Sequence, residues 1–160
     1  MSNVAKPAAE VRTTASPRLT FKDSAKAIEF YKRAFGARET FLFEVDGHIP
    51  HAEIAIGDSI LMLAEEWPEG GRFSAETLGN SPVWLSIRVG DVDTFAESAI
   101  KAGMKVKRPI QDQIYGHREV LLGDPFGYTW NVYTVKEEMS VEEMKRRMKG
   151  MATGPEGGKL

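Results

Sequence analysis

The chain has 160 residues, 42% of them hydrophobic and 28% charged, with a net charge of −2 and no cysteine. That length suits one domain with a core of its own, and that composition excludes a chain disordered throughout. Disulfides, thiolate nucleophiles and Cys-based zinc sites are excluded, no basic stripe marks a nucleic-acid face, and no run approaches the roughly 18 apolar residues of a membrane span.

Met1 to Ser16 is rich in Ala, Thr and Ser, without hydrophobic periodicity or the apolar centre of a secretory signal. It reads as a loose arm, and the expected location is cytoplasmic. Arg18 to Lys22 alternates polar and apolar residues, a strand with Leu19 and Phe21 on one face. Asp23 and Ser24 are helix-capping types, Ala27, Ile28, Tyr31 and Phe35 follow at helical spacing, and Gly36 supplies a C-terminal cap. Strand patterns then run over about Glu39–Val45, His51–Ile56 and Ser59–Ala64, with Asp46-Gly47 and Gly57-Asp58 as turns.

Glu65 to Pro82 breaks the pattern with Pro68, Gly70, Gly71, Gly79, Asn80 and Pro82, and reads either as a lid or as a connector. The scheme then restarts. Val83 to Val89 is a strand, Asp91 caps a helix carrying Val92, Phe95, Ala99 and Ile100, Gly103 closes it, and Met104 to Arg108 is a further strand. Arg118 to Tyr133 is a half-buried antiparallel hairpin around the turn Gly123-Asp124-Pro125-Phe126-Gly127, with Val120, Leu122, Trp130 and Val132 inward.

The chain is built twice. The helix-opening aspartates Asp23 and Asp91 lie 68 residues apart, and the helix-closing glycines Gly36 and Gly103 lie 67 apart. Glu53-Ile54-Ala55-Ile56-Gly57-Asp58 is echoed 66 positions later by Glu119-Val120-Leu121-Leu122-Gly123-Asp124. Three matched offsets predict an α+β fold of two tandem βαβββ modules forming a cupped mixed sheet. The expected divisions are an arm at 1–16, module one at 17–65, a linker or lid at 66–82 and module two at 83–135. A charged amphipathic C-terminal helix follows at 136–150, with Met144 and Met148 packing, and then a frayed tail at 151–160.

These modules, the Ala27-Ile28-Glu29-Phe30-Tyr31 helix ending in Phe35-Gly36-Ala37, and the Asp124-Pro125-Phe126-Gly127 turn resemble the vicinal oxygen chelate superfamily of glyoxalase I, extradiol dioxygenases and bleomycin-resistance proteins. His51-Ala52-Glu53-Ile54, Tyr115-Gly116-His117-Arg118 and Glu142-Glu143-Met144-Lys145-Arg146-Arg147 are similar to motifs of its PhnB-like glyoxalase/bleomycin-resistance branch. The resemblance implies a cup whose walls present four ligands to a divalent metal acting as a Lewis acid on the substrate. It also implies a homodimer. Carried onto this chain, the ligand positions fall on Ser16, Met62, Trp84 and Asn131, none a His or a carboxylate. No cofactor is therefore expected at the family site.

By strand alternation, Arg18, Thr20, Ile60, Met62, Trp84, Ser86, Arg88, Thr129, Asn131 and Tyr133 line the cup. Arg18 and Arg88 suit a clamp on an anionic ligand, and Trp84 suits stacking on a planar one. His51 with Glu53, and His117 with Glu119, make two His-x-Glu pairs. They read as a non-standard metal or acid–base site, or as hydrogen bonds and salt bridges across the module interface. His48 and His51 lie across an expected turn containing Pro50, so their spacing does not imply a metal.

Two functions follow from this sequence. One is a metal-independent binder of an anionic or aromatic small molecule, with no nucleic-acid or membrane partner. The other is a metal-dependent lyase, isomerase or dioxygenase using the His/Glu pairs.

Overall fold

The computed structural model describes residues 14–152. Most of the expected arm, and the tail after Ala152, lie outside the described residues. The two aspartates found by the repeat open the helices of the two modules. Asp23 caps α1 (Ser24–Phe35) by accepting from the Lys26 N–H, and Asp91 caps α3 (Val92–Ala102) by accepting from the N–H groups of Asp93 and Thr94. Gly36 and Gly103 close them in left-handed conformation, their N–H groups turned back onto helix carbonyls.

Each helix is the crossover of a four-stranded mixed sheet. In module one, β1 (Arg18–Phe21) runs parallel to β4 (Ser59–Glu65), and β3 (His48–Ile56) and β2 (Arg38–Val45) follow antiparallel, giving the order β1-β4-β3-β2. Module two repeats this with β5 (Trp84–Arg88), β8 (Thr129–Val135), β7 (His117–Gly123) and β6 (Lys105–Asp112), in the order β5-β8-β7-β6. The duplicated βαβββ organisation is therefore observed. No helix among the described residues is long and apolar enough to cross a membrane.

The inward faces are those the alternation predicts. Leu19, Phe21, Ile54, Leu61, Leu63, Val120, Leu122, Trp130 and Val132 are buried against α1 and α3. The helices pack on each other, with Phe35 stacked on Phe95 and tilted against Trp130. At the junction Asp124 accepts from Tyr31 Oη (2.6 Å), Trp130 Nε1 (2.8 Å) and the N–H groups of Phe126 and Tyr128. The Tyr128 hydroxyl takes the N–H of Thr20 at 3.0 Å and donates to its carbonyl at 2.8 Å, so a side chain of module two satisfies the edge strand of module one.

Two local expectations are revised and two are filled in. Pro50 does not turn the chain: β3 already begins at His48, and a register shift between Phe43 and Val45 of β2 accommodates the missing N–H. The connector is ordered, with a single 3-10 turn at Pro68–Gly70 and a short helix α2 (Ala75–Leu78). Ser74 and Ala75 are buried, and Ala75 abuts Gly127 at the junction. Strand β6 runs on to Asp112, beyond the expected Arg108. The last helix, α4 (Val141–Ala152), opens at the capping residue Ser140 inside the expected 136–150 segment, with Ser140 Oγ accepting from the Glu143 N–H.

Candidate functional site

The sheet faces turned away from the helices carry the predicted site residues. In module one the register aligns Arg18, Met62, Glu53 and Phe41 in one row across the strands. Arg18 Nη2 donates to His51 Nδ1 at 2.9 Å, and His51 Nε2 lies 3.1 Å from Glu53 Oε1. A guanidinium can only donate, so Nδ1 accepts, the ring proton sits on Nε2, and Nε2 donates to Glu53. The Phe41 ring flanks this relay, 5.6 Å from the imidazole. His48 points elsewhere and contacts Glu65 at 3.0 Å.

In module two, Arg88, Tyr133, Glu119 and Gln111 form the corresponding row. Glu119 is buried (5% exposed) and accepts from the Tyr115 hydroxyl at 2.9 Å and from Asn131 Nδ2 at 3.3 Å. Burial, and then Glu119, push the Tyr115 hydroxyl up to about 12. His117 stacks on Tyr133, 4.8 Å between centroids. The His-x-Glu pairs thus bond inside their own modules and not across the interface, which corrects that reading. Among the described residues no three His, Cys, Asp or Glu side chains gather as a metal cluster. His51 with Glu53 and His117 with Glu119 therefore do not converge on one centre.

Between the modules lies a cavity of about 830 Å³. Module one lines it with Thr14 to Pro17 and the β3–β4 turn from Ile56 to Leu61, and module two with Leu85 to Arg88, Trp130 and Tyr133. Arg88 lines this cavity, whereas the Arg18 guanidinium is bonded to His51. Along β5 the residues Trp84, Ser86 and Arg88 share one exposed face, and none has a side-chain hydrogen bond, ion pair or ring contact with another described residue. Alternation placed Tyr133 on this face and missed Lys107 and Tyr115 as its neighbours. The signal for Lys107 is a bulge, which periodicity does not reveal.

The four positions carried over from the metal enzymes hold a hydroxyl, a thioether, an indole and an amide. Ser16 borders the cavity, Met62 faces Glu53 across β3 and β4, Trp84 is exposed, and Asn131 gives its amide hydrogens to Glu119. Hard or borderline divalent cations want imidazole or carboxylate donors, and an indole N–H is no ligand. The residues present at these positions do not fit the metal.

The fold defines a duplicated βαβββ protein with a cavity between its modules. Residues 13–132 match the model of the Glyoxalase/Bleomycin resistance protein/Dioxygenase superfamily, and the chain belongs to that superfamily. It is 35% identical over 153 residues to an uncharacterised protein of Mycobacterium bovis, covering 92% of this chain and 99% of the relative. Among solved structures it is similar to TioX from Micromonospora sp. ML1, with TM-score 0.60 and 24% identity over 80% of this chain and all of TioX (100%). It is also similar to a FosX fosfomycin resistance protein from Listeria monocytogenes solved with Mn(II) and a dihydroxypropylphosphonic acid, with TM-score 0.58 and 15% identity over 87% of this chain and 99% of that one. At such identities the two structures share the fold alone.

Proposed function

We propose that this protein is a small-molecule binder of the glyoxalase/bleomycin-resistance type, in its PhnB-like branch, which takes an aromatic anion between its modules without a metal. The observation that carries the reading is the row Trp84, Ser86 and Arg88 along one face of β5, unpartnered among the described residues, its Ser86 and Arg88 end opening on the cavity. An indole plate, a hydroxyl and a guanidinium in line are the groups that orient a planar anion. The cavity volume falls within the few hundred to about 1,000 Å³ of small-molecule sites. Module one's own cation, Arg18, is already engaged by His51, which Glu53 holds in turn, and this leaves Arg88 as the anchor. We further propose that the protein works in the cytoplasm as a homodimer.

The test is calorimetric titration of the untagged chain with biphenyl-4-carboxylate, long enough for its far ring to stack on Trp84 while its carboxylate meets the Arg88 side chain, before and after exhaustive chelation. Binding that survives chelation and weakens about tenfold in Arg88→Ala and in Trp84→Ala supports the reading. Binding that requires an added divalent metal, or that neither substitution touches, overturns it.

A further inference from the structure

We infer that Lys107, Thr129 and Trp84 form an oxyanion-and-ring subsite on the outer face of module two, at the end of β5 opposite Arg88. The inference rests on the reading of that face given above and specifies where the ligand's charge sits relative to its ring.

The register of β6 on β7 pairs Val106 with Leu122 and Arg108 with Leu121, so Lys107 is the extra residue of a bulge. Its side chain lies down across Gly123. A Cβ on that glycine would stand 2.8 Å from Lys107 Cε and 3.5 Å from its Cδ. Gly123 has no positive φ, so the backbone does not demand glycine there. What the missing side chain provides is the slot in which the lysine stem rests. At the end of the slot Lys107 Nζ donates to Thr129 Oγ1 at 2.5 Å, and Thr129 is buried. Among the described residues no carboxylate pairs with this ammonium. Two of its three donors stay available.

Thr129 is the register partner of Trp84 on the adjacent strand, so the lysine's anchor and the indole are about 5 Å apart in strand spacing. Trp84 is 57% exposed and has no partner among the described residues. Arg88 stands four residues further along β5, about 13 Å away. A ring stacked on Trp84 with an oxyanion directly attached meets Lys107 without reaching Arg88. A longer ligand with charge at both ends engages both cations. The ligand class is therefore an aryl phosphate, phosphonate or carboxylate, held with its charge toward β6.

The full-length protein is titrated calorimetrically with phenyl phosphate, inorganic phosphate and benzyl alcohol at several salt concentrations. Phenyl phosphate should bind more tightly than either fragment, and Lys107→Met should weaken it about tenfold and flatten its salt dependence. Gly123→Ala keeps the lysine but pushes its stem out of the slot, and should reproduce most of that loss with an unchanged thermal midpoint. If both variants bind phenyl phosphate as wild type does while Arg88→Ala loses it, the subsite is refuted and the cleft reading survives. If inorganic phosphate binds as tightly as phenyl phosphate, and Trp84→Ala changes nothing, the ring half is wrong and the proposal falls. If wild type binds no aromatic anion at all, both readings fall together.

Discussion

At the scale of single residues, two side chains carry unusual weight for their size. Tyr128 spends its hydroxyl on both backbone groups of Thr20, in surroundings where no water can replace it. Tyr128→Phe leaves a buried N–H and C=O unmet and should cost about 1–3 kcal/mol in urea unfolding, with the sheets otherwise intact. Glu66 is the other. Hydrogen bonding by the Ser74 hydroxyl, then the Thr77 hydroxyl and the Ser74 N–H, holds its carboxyl down to about 2 from its usual 4.5. A carboxyl whose folded value is depressed stabilises the fold above its unfolded value and loses that contribution as pH falls through the folded one. The melting temperature of wild type should therefore exceed that of Glu66→Gln at neutral pH. The gap should close as pH falls from 4.5 toward 2. A gap independent of pH would show that the connector is not held by this carboxylate.

At the scale of elements, α4 is fastened by its base. Arg147 reaches Glu137 at 2.9 Å and Glu143 at 3.0 Å, and the N–H groups of Lys136 and Glu137 both bond to the Gly116 carbonyl. Gly116 makes this approach possible. Its φ is +89°, and a Cβ there would fall 2.2 Å from the Glu137 carbonyl oxygen. Gly116→Ala is expected to cost about 2 kcal/mol or more and to raise proteolysis after Val135, because strain and overpacking act together. The elements also mark where sequence reading stops. Capping aspartates, closing glycines and period-two alternation are local signals, so both long helices and the inward faces of the strands were legible. A bulge has no such signature, and it is what turns Lys107 onto the face it shares with Trp84. Pro50 misled for the related reason that an edge-strand irregularity absorbs it. The positions of Glu119 and Leu121, buried on the outward face, follow from what lies over them and not from their own period.

At the scale of the molecule, the repeat offsets forecast the architecture because both copies kept their caps and turns, while the site depended on contacts between strands distant in sequence. The His-x-Glu pairs show the difference: their spacing was visible, but only the fold shows that one pair is closed by Arg18 and the other by Tyr115 and Asn131. One large surface is left uncovered by the described residues. Strand β2 exposes Phe41, Phe43 and Val45 along one face and Leu42 on the other, a concentration of apolar area that a monomer seldom leaves in water. The proposed homodimer would bury it. Analytical ultracentrifugation should give a dimer for wild type and a monomer for Phe43→Asp, and a monomeric wild type would refute the pairing.

The hydroxyl of Tyr128 has a consequence for how such a duplicated chain can change. Among the described residues the edge of module one at Thr20 is finished by Tyr128 of module two, and its Tyr31 hydroxyl donates to Asp124. The two copies share a topology but are not interchangeable parts, and the turn from Asp124 to Tyr128 works as a keystone between them. Drift in that turn is felt in the opposite half of the protein, so the copies are bound to evolve as one body.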